Sequence, residues 1–361
     1  MRCSWKPNWE QTKNHYINWW NHDGFVIDLP NVIAPHPVAD VQKPEPPKDF
    51  QFQHTDSNWI AKRQKYRLSR EKYLGDTIPI AAVDIGYQTL SLYLGGSKPV
   101  FREDTVWYDP LMEDIDSMGK LIFDPGNPWF QNHVKSYEET VATGKNLFCT
   151  GTPGLGSNID VLSAMRGREA LMFDLIERPE WVKERLQEIN QAYFQAFESL
   201  YNIYKLADGS SCASYYGWWS PGKVALVMSE AAAMISPDMF KEFVVPFMEQ
   251  QCQWLDHSVF LIDGKECLRF LDHLLAIDDL DAIAFDSGPQ GQDGDEPIWY
   301  DLYKKILKAG KSVQIYGSHP AKALPLLDNI GSAGVNLVYY GLELKQAEDF
   351  LMQLEPYYHQ V

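Results

Sequence analysis

The stretch Leu255–Gly291, LDHSVFLIDGKECLRFLDHLLAIDDLDAIAFDSGPQG, constrains the fold more than any other part of the chain. It holds two short apolar runs, Ser258–Ile262 and Ala282–Phe285. Each ends on an acidic residue next to a turn former, Asp263-Gly264 and Asp286-Ser287-Gly288. Between them Cys267, Leu268, Phe270, Leu271, Leu274 and Leu275 recur at spacings of one, three and four, the signature of a helix with one apolar face. Strand, polar tip, helix, strand, polar tip describes a parallel pair joined by a crossover helix. Such a pair buries both strands and leaves the residues after each strand at one open end, where parallel α/β folds carry their chemistry. Asp263 and Asp286 are thus the first candidate functional residues. Two carboxylates on adjacent strand tips can act as an acid/base pair. Each is equally suited to cap the helix that follows.

The same rhythm runs along the chain. Tips fall at Asp84 (IPIAAVDIG), Thr150 (NLFCTGTPG), Tyr215/Tyr216, Ser229, Asp263, Asp286, Gly317 and Tyr340, roughly eight in all. Repeated strand–helix alternation of that number predicts an α/β fold of the (β/α)8 barrel type with an N-terminal extension. An open dinucleotide-binding sheet is disfavoured, because no GxGxxG follows a first strand and GTPGLG has neither that spacing nor the Lys-Ser/Thr of a phosphate loop.

The division expected is 1–75 as an extension packed on the barrel and 76–361 as the barrel. The extension begins with a helix over Trp9–Trp20, passes through a segment broken by Pro35, Pro37, Pro44, Pro46 and Pro47, and continues as a helix from about Asn58 to Tyr73. KPVFREDTVWYD and KLIFDPGNPWF read as extended segments, paired as a hairpin beside the main sheet. A helix follows from Pro128-Trp129. Pro179 divides a long helical region in two, and Ser236-Pro237-Asp238 starts a helix reaching about Leu255.

Hydrophobic residues make up 45% of the 361, enough for a sizeable core, and the net charge of −17 argues against nucleic acid as a partner. The five cysteines form no CxxC pair, which suits reduced thiols and a cytoplasmic setting. The first 25 residues contain no apolar signal-peptide core, and no apolar run is long enough to span a membrane.

With 12 Trp and 19 Tyr, aromatic side chains exceed what a core of this size demands. Tyr215, Tyr216, Trp218 and Trp219 crowd one loop, YYGWW. They either pack under the barrel rim or form a wall on which a ligand stacks. Tyr87, Trp129 and Trp299 are further candidates for that pocket. His319, in the loop after the QIYG strand, is placed to shuttle a proton. His15, His22, His36, His54 and His359 show no metal-ligand spacing, and Cys267 reads as core.

Three pieces, IERPEWVKERLQEI, MISPDMFKEFVVPFMEQQCQWLDHSVFLIDGKECLRFLDHLLAIDDLDAIAFDSGPQG and YKKILKAGKSVQIYG, resemble the uroporphyrinogen decarboxylase superfamily over roughly residues 140–355. They are nearest to a branch with a YHLDG…LRHLDALLEI…IQW pattern. The resemblance implies a (β/α)8 barrel with its site at the C-terminal mouth, and an acidic residue near the pocket at Glu230. Characterised members include a metal-free tetrapyrrole decarboxylase and zinc-dependent methyltransferases acting on corrinoids or coenzyme M.

The departures narrow that range. Residues 1–60 contain nothing like the decarboxylase's arginine-rich MRQAGRY motif, which leaves Arg166 as the best anion-binding candidate. Where the zinc enzymes carry HxCG this chain has Leu261-Ile262-Asp263-Gly264, and its last strand ends Tyr339-Tyr340-Gly341 without cysteine. The expectation is an enzyme with no metal and no organic cofactor, acting on a small polar molecule by decarboxylase-like acid/base chemistry. A methyltransferase working with a corrinoid protein, and a non-catalytic binding protein of the same fold, are the alternatives. Relatives of this kind are often homodimers.

Overall fold

The computed structural model describes residues 3–113, 119–289 and 291–358. Gln290 and His359, both in segments read above, lie outside them. Helix α1 (Trp9–Trp20) turns Trp9, Tyr16, Trp19 and Trp20 inward and leads into strand β1 (Phe25–Asp28). After the proline-rich segment come α2 (Phe50–Thr55) and α3 (Ser57–Ser69), whose N-termini are closed by the side chains of Asp49 and Asp56. Strand β2 (Ile80–Ala81), the short helix α4 (Leu90–Tyr93) and the strands β3 (Ser97–Phe101) and β4 (Val106–Pro110) follow.

Strands β3 and β4 form an antiparallel hairpin. The segment KLIFDPG does not pair with it; it runs without regular structure into α5 (Pro128–Gly144), where Asn127 accepts from the amides of Trp129 and Phe130. Strand β5 (Cys149–Thr150) pairs with β2 in parallel. Helices α6 (Asn158–Arg166), α7 (Arg168–Glu177) and α8 (Pro179–Tyr204) come next, with the expected break at Pro179. Strands β6 (Ser211–Cys212) and β7 (Trp219–Ser220) form a tight antiparallel pair, and β8 (Val224–Leu226) follows.

Ser236 caps α9 (Pro237–Phe243), accepting from the Met239 amide. The chain restarts as α10 (Val245–Trp254) rather than running through as one helix. The cause is Pro246, which has no amide hydrogen for the carbonyl four residues back. The remaining elements are β9 (His257–Asp263), α11 (Leu271–Leu275) after a 3-10 stretch at Lys265–Phe270, β10 (Ala282–Asp286), α12 (Tyr300–Lys308), β11 (Ser312–Tyr316), α13 (Ala323–Ile330), β12 (Val335–Val338) and α14 (Leu344–Tyr358).

Six strands make one parallel sheet in the order β1-β12-β11-β10-β9-β8. The α/β class and the parallel sheet match the sequence reading. The hydrogen-bonded ladder is shorter than eight strands. Among the described residues β2 and β5 form a separate pair, joined to β6 through a parallel bridge between Gly151 and Cys212. No helix among the described residues is long and apolar enough to cross a membrane.

One element has no counterpart in the sequence reading. Strand β1, inside the segment read as an extension, is the terminal strand of the six-stranded sheet, with Phe25 opposite Val335 and Asp28 opposite Val338. FVID is only four residues long and wholly buried, so it shows neither a long apolar run nor alternation. The helix before it is sewn to distant parts of the chain. Trp19 Nε1 donates to the Gly334 carbonyl at 3.0 Å, Trp20 Nε1 to Trp219 at 2.8 Å and the Tyr16 hydroxyl to Gly217 at 2.9 Å.

The strands face two different cores. Phe25, Ile27, Phe260, Ile262, Ile283 and Phe285 belong to the large cluster shared with the helices. Their neighbours Val26, Val259, Ala282 and Ala284 face a second cluster rich in tryptophan, with Trp19, Trp218 and Trp219. This is the period-two alternation of a sheet buried on both sides. Small residues on the second face leave room for the indoles.

Candidate active site

The C-terminal ends of the strands open on a cavity of about 440 Å³. Its floor and walls come from Asp84 and Tyr87 beyond β2, Ser214, Tyr215 and Tyr216 beyond β6, Glu230 beyond β8 and Asp263 at the end of β9. His54, Ile60 and Arg63, from α2 and α3, and the turn of the β3–β4 hairpin roof it. The two roof pieces are tied together by a 2.9 Å hydrogen bond between His54 Nε2 and the Arg102 carbonyl. A second cavity adjoins, lined by Asp28, Arg67 and Tyr340 and sharing Arg63, Tyr215 and Tyr216 with the first.

Asp84 is the centre of the first cavity. Its Oδ1 accepts from the Gly154 amide at 2.8 Å. Its Oδ2 is shielded from solvent and makes no hydrogen bond of normal geometry among the described residues, the Tyr215 hydroxyl being the polar group beside the carboxylate. Burial disfavours the charged form and pushes this carboxyl up to about 6. The charge of Asp84 in turn pushes the Tyr215 phenol well above its ordinary range.

The backbone around this group is strained. Tyr215 holds φ at +68°, a left-handed conformation that bulky residues rarely adopt. Gly217, two residues on, has φ +80°, and a Cβ there would sit 2.2 Å from Asp28 Oδ2, so only glycine fits. Asp28 is itself 4% exposed, with Oδ1 unpartnered, and burial raises it to about 6.

Glu230 and Asp263 complete the acidic wall. The Glu230 and Ala231 amides donate to the two oxygens of buried Asp160, at 2.9 and 2.8 Å. That fixes the loop after β8 and aims the Glu230 side chain, which meets Gln88 Nε2 at 3.4 Å. Burial raises the carboxyls of both Glu230 and Asp263; Asp263's charge adds to the first effect and Asp286's charge to the second.

Asp263 and Asp286 stand opposite each other in the β9–β10 register. Their surroundings differ. Asp263 lines the cavity, while Asp286 Oδ1 accepts from the Gly288 amide at 2.8 Å and holds its own turn. The structure thus brings together Asp263, Glu230, Tyr87, Tyr215 and Tyr216, with Asp286 acting on them through its charge.

Other candidates lie elsewhere. His319 is exposed on a separate surface depression with Lys345 and Asp349. Trp218 and Trp219, 0% and 3% exposed, are core residues, and Trp218 stacks beneath Tyr216 at 4.8 Å. Trp129 packs against Phe101 under the hairpin, and Trp299 against Phe285.

Arg166 is a brace for its neighbours, bonded to Asp174 at 2.7 Å and to the carbonyls of Met112 and Glu113. Arg166→Ala is therefore expected to cost about 2–4 kcal/mol of stability in urea unfolding, because it strands the buried Asp174. It should leave ligand affinity at the cavity unchanged.

Asp84, Ser214, His54 and Arg63 were not among the sequence candidates for the site. Asp84 carried a signal, the same apolar run ending in Asp with a glycine close behind that marks Asp263. Arg63 sits on a helix in the segment read as an extension, where nothing in the sequence points toward the sheet. Among the described residues no three His, Cys, Asp or Glu side chains converge as a metal-holding group. No protein-family model matches the chain, and no curated protein is significantly similar to it.

Proposed function

We propose that the chain is an enzyme of the uroporphyrinogen decarboxylase superfamily, with its strands closing as a (β/α)8 barrel and its site at the C-terminal mouth. It acts on a small polar molecule by proton transfer, in a lyase or decarboxylase-like step that uses neither metal nor organic cofactor. The observation that carries this reading is Asp84, a shielded carboxylate with one oxygen unpartnered, opening on a cavity beside Tyr215. Unpaired buried polar groups are costly and are retained where function needs them.

In this reading Asp84 takes a proton from the substrate. Glu230 and Asp263, with carboxyls raised by burial, hold polar groups of the substrate or return the proton. Tyr87 and Tyr216 supply flat faces that fix its orientation. The corrinoid methyltransferase reading ranks lower, because Leu261 and Asp263 stand where the resemblance places a histidine and a cysteine ligand and the run after the last strand has no cysteine; stoichiometric zinc in the purified protein would reverse the ranking.

A base with its pKa near 6 makes kcat/KM rise with pH through about 6 and level off above it. The test is incubation of the protein with a mixture of small metabolites, followed by mass spectrometry. Wild type is expected to consume at least one compound that Asp263→Asn consumes much more slowly. Equal consumption by both proteins, or a pH profile flat from 5 to 8, would sink the proposal. Ligand binding with no turnover of any bound compound would favour the non-catalytic reading.

A further inference from the structure

The charge inside the cavity says what kind of molecule suits it. Five carboxylates line it, those of Asp84, Glu103, Asp104, Glu230 and Asp263, against one guanidinium, that of Arg63. The imidazole of His54 does not offset this, since burial lowers its pKa and keeps it neutral at pH 7. An acidic wall alone is a common surface feature. Here it encloses unpartnered polar atoms. Ser214, 5% exposed, lines the cavity with its hydroxyl unbonded among the described residues, and so do the shielded Asp84 Oδ2 and the Tyr87 hydroxyl. The two hydroxyls can donate or accept, whereas the carboxylate oxygen of Asp84 and the acidic wall around it call for a ligand that supplies hydrogen-bond donors and positive charge.

The single cation of the lining is engaged by an aromatic ring. Arg63 stacks on Trp59, 4.8 Å from the ring centre, and roofs the seam with the second cavity. Of the other basic side chains nearby, Arg67 is paired with Glu71 at 2.9 Å, and Arg168, outside the cavity lining, acts on Glu230 through its charge.

We propose that the cavity binds a small organic cation, its ammonium group facing the acidic wall that carries Asp84, Glu230 and Asp263 and its carbon chain laid against Tyr87 and Tyr216. Carboxylates supply the charge complement, and tyrosine rings attract an ammonium through their faces. Arg63 repels the same group and so directs it to the floor, leaving the far end of the molecule toward the roof. This deepens the functional reading above and rests on it for the location of the site.

A matched series tests the class of ligand: butylammonium, 1-butanol and butyrate share size and shape and differ in charge. Butylammonium is expected to raise Tm by about 4 °C once it exceeds its Kd a hundredfold, with a Kd that weakens at high salt. Glu230→Gln and Asp263→Asn, with folding checked by circular dichroism, should each weaken it about tenfold, a change of about 1.4 kcal/mol. Absence of a shift with butylammonium overturns the inference. So does an equal shift with all three probes, or a shift with butyrate that Arg63→Ala abolishes. The two readings fail separately. Turnover of an anionic compound would leave the enzyme and remove the cation, whereas butylammonium binding without turnover of any amine would do the reverse.

Discussion

Asp84→Asn is expected to destroy turnover and strengthen the protein at the same time. Removing a positioned acid or base costs about 10²–10⁴ in rate. The stability gain follows from the carboxyl's altered pKa. Folding raises it from 3.8 to about 6, so between those values the folded state binds more protons than the unfolded one. By linkage, stability then falls as pH rises through the window. The penalty is fully present above about 6 and absent below about 4. Asparagine keeps the oxygen that accepts from Gly154 and removes the charge, so Asp84→Asn should add about 1–3 kcal/mol at pH 7.5 and little at pH 4. Urea unfolding at the two pH values measures this. A variant that is destabilised at pH 7.5, or a gain that grows on acidification, would show that the carboxylate is structurally satisfied and not held in reserve for a ligand.

The second large effect lies nearer the N-terminus. Trp19 is fully buried and bonded across the molecule to Gly334. Trp19→Ala should cost about 3–5 kcal/mol, a large share of the 5–15 kcal/mol typical of a domain. Deleting residues 1–28 removes β1 as well and uncovers the edge of β12. An uncovered, apolar strand edge invites pairing between chains, so the truncated protein should aggregate. A soluble truncation that unfolds cooperatively would mean that this segment is a dispensable cover.

These two sites also mark how far the sequence could be read. Where the chain repeats long periodic units the reading succeeds. The β9–α11–β10 unit, the break at Pro179 and the Ser236 cap all follow from local rules, because burial on both strand faces and capping chemistry leave plain residue patterns. Asp263 opposite Asp286 follows from the same periodicity. Function inside the cavity was harder to see because it depends on contacts between distant segments. Tryptophans 218 and 219 look like a ligand wall in one dimension, yet small residues at Ala282 and Ala284 make space to bury indoles beneath the site. Asp286 and Asp263 have the same local sequence logic; a two-residue turn bond distinguishes their roles. Arg63 reaches the site only because α3 folds over it.

That last arrangement has an evolutionary consequence. The acidic and aromatic groups of the cavity floor come from the loops after strands, at residues 84, 214–216, 230 and 263, whereas the roof comes from residues 54–63 and 103–106. Selection can therefore act on the roof and the floor nearly independently. Substitutions in the roof would redraw which molecules are admitted and how long they stay, while the groups on the floor stay the same. Descendants of this chain could diversify the molecules they admit before the groups on the floor change, and residues 54–63 and 103–106 are where that divergence would be recorded.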